Sequence, residues 1–167
     1  MSAPSTRLTK VLLLLFIALN VLVDQWSKEA VRREVEPRSY KEIAGPAFIL
    51  TRVENTGAFL GMGQDWNPLV KRIFLQGVPL ALMLFLMYRL LQHPGNNRLL
   101  AIGLCCIIGG GLGNLWDRFY LGEVTDFFQL RFGVVRTGIF NMADVSVSVG
   151  LLLVVIAYFR YRKPQEA

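Results

Sequence analysis

Between Arg136 and Arg160 lie 23 residues, enough for a membrane-crossing helix, and Asp144 is the one charged side chain among them. A carboxylate at that depth is costly, and ionisable groups there usually face a bundle interior or a wet cavity on a functional pathway. Eighteen residues earlier, Asp126 lies between Thr125 and Phe127 in "GEVTDFFQL", a short patch expected to dip toward the membrane surface. That separation lets the loop fold back over the helix mouth. If the two carboxyls meet in a poorly solvated site, like-charge repulsion keeps one proton between them. One can then draw a proton from water while the other donates to a carbonyl oxygen, which is the chemistry of peptide hydrolysis by an aspartate pair.

Other polar residues recur at helical spacing. Asn20, Asp24 and Lys28 fall at i, i+4 and i+8; Gly110, Asn114 and Arg118 repeat that spacing; Asn141, Asp144 and Ser148 fall at i, i+3 and i+7. Each set shares one helix face, so three helices are expected to turn polar stripes inward at one depth. Gly109 and Gly113 form a GxxxG pair that permits close helix approach. The "DR" of Asp117 and Arg118 reads as an interfacial ion pair, with Arg118 a candidate ligand for a substrate carbonyl and Asp117 structural. Ser27 and Lys28 are neighbours on a helix and point about 100° apart, which disfavours a serine–lysine nucleophile.

The elements that must position these groups follow from composition. The 167 residues are 53% hydrophobic with a mean hydropathy of +0.43, too apolar for an ordinary soluble domain of this size. Apolar runs over 11–23, 73–88, 99–116 and 137–159, extended by snorkelling Lys10 and Arg89, predict four spans at about 8–27, 70–92, 98–117 and 138–160. They belong to a single integral membrane domain. Pro79 predicts a kink in the second. Arg7 and Lys10 before a leucine-rich core imitate a secretory signal, but without an evident small-residue cleavage site the segment is read as an uncleaved helix.

Seven basic residues and one acid lie at the termini and the turn around His93; the rest of the chain carries eleven of each. That density places both termini in the cytoplasm and the loops at about 28–69 and 118–137 outside, with Asp144 near the outer face. The basic balance is thus one of topology, and no nucleic-acid signature accompanies it. Cys105 and Cys106 read as packing residues, and His93 lacks a second histidine for a metal site. No metal or other cofactor is expected. Within the first outer loop, "PAFILTRVENTGAFLG" is strand-like and broken by the turn signal "ENTG", which suits a small sheet on the membrane surface. A proton-coupled transporter would need polar stripes continuing inward, and after Ser148 the sequence runs "VGLLLVVIAYF".

The blocks "DQWSK", "NTGAF", "GGGLGNLWDR", "GEVTDF" and "FNMAD", in that order, make the chain resemble the bacterial lipoprotein signal peptidases, or signal peptidase II, along nearly its whole length. The resemblance implies a membrane aspartyl protease of four transmembrane helices with a small extracytoplasmic β-rich cradle. It implies residence in the bacterial cytoplasmic (inner) membrane, contact with membrane lipids, action as a monomer, and a diacylglyceryl prolipoprotein as substrate. Cleavage would fall just before the lipidated cysteine. It maps the catalytic pair onto Asp126 and Asp144, and substrate-side residues onto Asp24, Lys28, Asn55, Gly57, Asn114, Arg118 and Asn141. Two departures stand out: Val145 follows the second aspartate where the family commonly has serine, and "NTGAFLG" lacks one small or apolar residue of the more usual "NTGAAFS".

Overall fold

A computed structural model describes residues 6–58, 61–94 and 97–161. Phe59 and Leu60 of the shortened motif, and Arg162, Lys163 and Glu166 of the terminal charge count, lie outside the described residues. Helix α1 spans Thr6–Glu34, α2 is the short Pro68–Lys71, α3 is Val78–Gln92, α4 is Arg98–Tyr120 and α5 is Met142–Tyr161. Strands β1 (Lys41–Glu42), β2 (Phe48–Asn55), β3 (Val124–Phe132) and β4 (Val135–Arg136) form one antiparallel sheet in that order. Among the described residues, four segments are long and apolar enough to cross a membrane: α1, the continuous run Pro68–Gln92, α4 and α5.

The irregularity expected at Pro79 sits just ahead of it. Arg72–Gly77 between α2 and α3 is a π-helix, and the Val78 amide reaches back five residues to the Ile73 carbonyl. Proline lacks an N–H and crowds the carbonyl four residues before it, so widening the preceding turn relieves the clash without breaking the span.

Helix α4 is the axle of the bundle. A Cβ on Gly109 would come within 2.5 Å of Asn20 Cβ, and one on Gly113 within 2.5 Å of Asp24 Oδ2, so the GxxxG pair seats α4 against α1. Gly110, one position on, faces Ala143 and Val147 of α5. Two adjoining glycine faces therefore let two helices approach the same stretch of α4. Lower down, Ile17, Met83, Leu90, Ala101, Cys105 and Ile108 pack as an apolar core. Both cysteines are buried free thiols.

Helix α1 continues past the apolar run, and its last turns hold the sheet. Glu29 bridges Arg32 and Arg33 at i+3 and i+4, while Val31 and Val35 pack on Phe127 of β3.

Candidate active site

Alternation along β3 assigns each residue a side. Val124 and Asp126 face a cavity of about 670 Å³, while Thr125 and Phe127 face α1 and the end of α4. Strand β2 pairs with β3 so that Asn55 lies opposite Val124 and diagonal to Asp126. The return from β3 to α5 closes at an antiparallel bridge between Phe128 and Phe140, whose amides and carbonyls exchange bonds of 2.8 Å. Asn141 follows at once and starts α5. The 18-residue excursion between the two aspartates is thereby folded flat, and both carboxyls line one cavity with Asn55, Asn114 and Arg118.

Asp144 is held by a reciprocal cap. The Asn141 amide donates to Asp144 Oδ2 at 3.1 Å, and the Asp144 amide donates to Asn141 Oδ1 at 3.0 Å. This is the capping-box arrangement, in which N-cap and third helical residue satisfy each other's backbone donors. The other oxygen of Asp144 accepts from Asn114 Nδ2 at 2.9 Å. Asp126 is held from both sides, its Oδ1 by Asn141 Nδ2 at 2.6 Å and its Oδ2 by Asn55 Nδ2 at 3.0 Å. Asn141 alone thus grips both aspartates.

The orientation of all three asparagine amides is forced by groups that can only donate. Asn141 Oδ1 takes the Asp144 amide, Asn55 Oδ1 takes the Gly57 amide at 3.0 Å, and Asn114 Oδ1 takes the Lys28 ammonium at 2.8 Å. With each oxygen occupied by an obligate donor, each NH2 must turn to a carboxylate. The Lys28 ammonium has three hydrogens and three acceptors within reach: Asn114 Oδ1, Asp24 Oδ2 at 2.8 Å and Asp117 Oδ2 at 3.1 Å. Burial pushes the Asp126 carboxyl up to about 6; the Asp144 charge adds to that, and the Asn55 and Asn141 hydrogen bonds work against it. A carboxyl so placed exchanges its proton near neutrality, as general acid–base chemistry demands.

Several expected residues take places the sequence did not foretell. Asp24 and Lys28, expected on the substrate side, have no exposed surface and stand behind Asn114 rather than on the cavity wall. Asn141 is likewise fully buried, and both its donors go to neighbours. Gly57 is buried behind the wall; a Cβ there would lie 2.6 Å from the Met62 carbonyl oxygen, and its own carbonyl accepts from Arg118 Nη2 at 3.0 Å. Arg118 therefore does not pair with Asp117. Adjacent helix residues diverge by about 100°, so Asp117 turns to Lys28, Gln25 and Thr125 and Arg118 to the cavity. Arg118 Nε is buried without a partner among the described residues.

Sequence reasoning overlooked Gln25, which donates to Asp24, Asp117 and the Gly113 carbonyl, and Ser146, whose hydroxyl donates to Asn20 Oδ1 at 2.6 Å. Ser146 points from α5 toward α1 and Ser148 lines the cavity, so the two serines serve different faces. A stripe drawn from Asn20 at α1 could have found Ser146 only with the α1–α5 register in hand.

Residues 16–160 match the family described as signal peptidase (SPase) II. Lipoprotein signal peptidases of Borrelia turicatae (strain 91E135) and Pasteurella multocida (strain Pm70) are each 34% identical to the chain. The first match covers 91% of both chains and the second 89% of both. A solved structure described as a bacterial membrane enzyme superposes with a TM-score of 0.78 at 24% identity over 93% of each chain, which shows the shared fold. A match over most of the length, on a four-span bundle whose cavity gathers two acidic side chains, has one reading: the chain belongs to the signal peptidase II family.

Proposed function

We propose that the protein removes signal peptides from bacterial prolipoproteins, cutting just before a diacylglyceryl-modified cysteine, with Asp126 and Asp144 as the catalytic pair. The observation that carries this reading is the one residue Asn141, whose side-chain Nδ2 donates to Asp126 while its backbone N–H donates to Asp144 Oδ2 and its Oδ1 accepts from the Asp144 amide. It fixes two carboxyls from separate elements at one cavity. Asp126, whose carboxyl burial raises to about 6, serves as the acid of the pair and donates its proton to the scissile carbonyl oxygen. Asp144, the only charge between Arg136 and Arg160, takes the proton of the attacking water. The tetrahedral carbon then expels the amine, which leaves with a proton from the pair.

A signal helix must unwind at the cut, and its freed backbone groups need partners away from water. Arg118 and Asn114 fit that task. Arg118 has an unused buried Nε–H, and one Asn114 amide hydrogen remains after the bond to Asp144. Asn55 and Asn141 spend their donors on the protein, so they hold the carboxyls rather than the substrate. The wall of Pro79, Val145, Val147 and Val149 supplies the apolar side that a lipidated peptide needs. The enzyme works from the inner membrane as a monomer, with both termini cytoplasmic and the cavity at the extracytoplasmic end of the bundle.

The test is cleavage of a diacylglyceryl-modified prolipoprotein in detergent by wild type, Asp126→Asn and Asp144→Asn. Each substitution is expected to lower kcat by about 10³-fold or more while the protein stays folded, and a chelator is expected to leave wild type unchanged. Turnover persisting in either variant removes the pair from the mechanism.

A further inference from the structure

Beneath the carboxyl pair lies a buried acid that the mechanism above does not use. Asp117, in the last turn of α4, has no exposed surface. Its Oδ2 accepts from Lys28 Nζ at 3.1 Å and from the Thr125 amide at 3.3 Å, and its Oδ1 accepts from Gln25 Nε2 at 3.1 Å. Arg32 stands 3.9 Å away on the sheet side. One carboxylate thus ties α1, α4 and β3 together.

Both contacts on Oδ2 lead to an aspartate of the pair. Lys28 passes to Asn114 Oδ1, which compels the Asn114 NH2 to face Asp144. Thr125 precedes Asp126 in β3, and because strand side chains alternate, anchoring its backbone from behind sets where Asp126 emerges in front. A shift of either end moves one carboxyl relative to the other.

We propose that Asp117 is a positioning residue for the pair, holding Asn114 against Asp144 through Lys28 and holding Asp126 through the Thr125 amide. The proposal rests on the dyad reading above. It also gives Asp24 and Lys28 their place: they complete the three-acceptor shell that keeps the ammonium aimed at Asn114.

The experiment is steady-state cleavage by Asp117→Asn, with rates referred to folded enzyme. The substitution leaves Lys28 paired with Asp24, so no lone cation is stranded. Misplaced reacting groups cost turnover more than binding, so kcat is expected to fall about 10- to 100-fold with KM within about twofold. If Asp117→Asn fails to fold, Gln25→Leu frees Asp117 Oδ1 without touching a charge, with an expected loss in kcat of about 3- to 10-fold. In an Asn114→Leu background, Asp117→Asn should cost less than in wild type, because part of its route is already cut. Wild-type kcat in the folded variant, or equal cost in both backgrounds, overturns the proposal. Activity in Asp126→Asn would instead sink the dyad reading; its loss there with full kcat in Asp117→Asn removes only the positioning role.

Discussion

Replacing Asn55 by leucine should move the pH profile in one direction by a calculable amount. Asn55 Nδ2 donates to Asp126 Oδ2 at 3.0 Å, and its own oxygen is fixed by the Gly57 amide, so the NH2 cannot rotate away. The bond favours the ionised carboxyl, against the burial that holds Asp126 at about 6. A hydrogen bond to a charged group contributes about 1.5–3 kcal/mol, and a pH unit corresponds to about 1.4 kcal/mol, so its loss is worth about 1–2 units. Because the donor stabilises the anion, its removal raises the value. The pair then keeps its proton to higher pH, and the alkaline limb of kcat/KM shifts upward from its wild-type position by about 1–2 units. The assay is cleavage of a lipidated fluorogenic peptide in micelles from pH 5 to 9, with wild type and Asn55→Leu side by side. Overall activity will drop, but the displacement of the limb is the readout. An unmoved limb, or one displaced to lower pH, refutes the argument that Asp126 holds the shared proton against Asn55.

Two further outcomes follow from burial. Lys28→Met leaves Asp24 and Asp117 facing each other without their shared cation, and breaking such a buried pair costs about 3–5 kcal/mol, which denaturation in detergent should register as a large loss of stability. Gly113→Ala places a methyl 2.5 Å from Asp24 Oδ2; overpacking of this kind costs about 1–3 kcal/mol, and thermal unfolding together with a loss of kcat checks it, whereas Gly122→Ala meets no atom within 4 Å and suffers only its positive φ of 81°.

Membrane spans announce themselves because water-to-lipid transfer acts residue by residue, so hydropathy alone finds four segments and makes Asp144 conspicuous among 23 residues. The same local logic reaches the β2 strand, the turn after it and the GxxxG contact. Asp126 and Asp144 could be singled out by type and spacing. What kept Asp117 from view is that its partners Gln25, Lys28 and Thr125 come from two other elements, and only the seating of α4 on α1 through Gly109 and Gly113 decides that it turns inward while Arg118 turns to the cavity.

The amino-acid order by itself determined which segments enter the bilayer and which acids are too costly to be idle, since both depend on each residue's own solvation. Tertiary structure alone decided which atoms those acids meet. The bond that sets the Asn114 amide joins it to Lys28 across 86 residues, and the bond by which Asn55 holds Asp126 spans 71; contacts so distant along the chain exist only once helices and strands have chosen their faces.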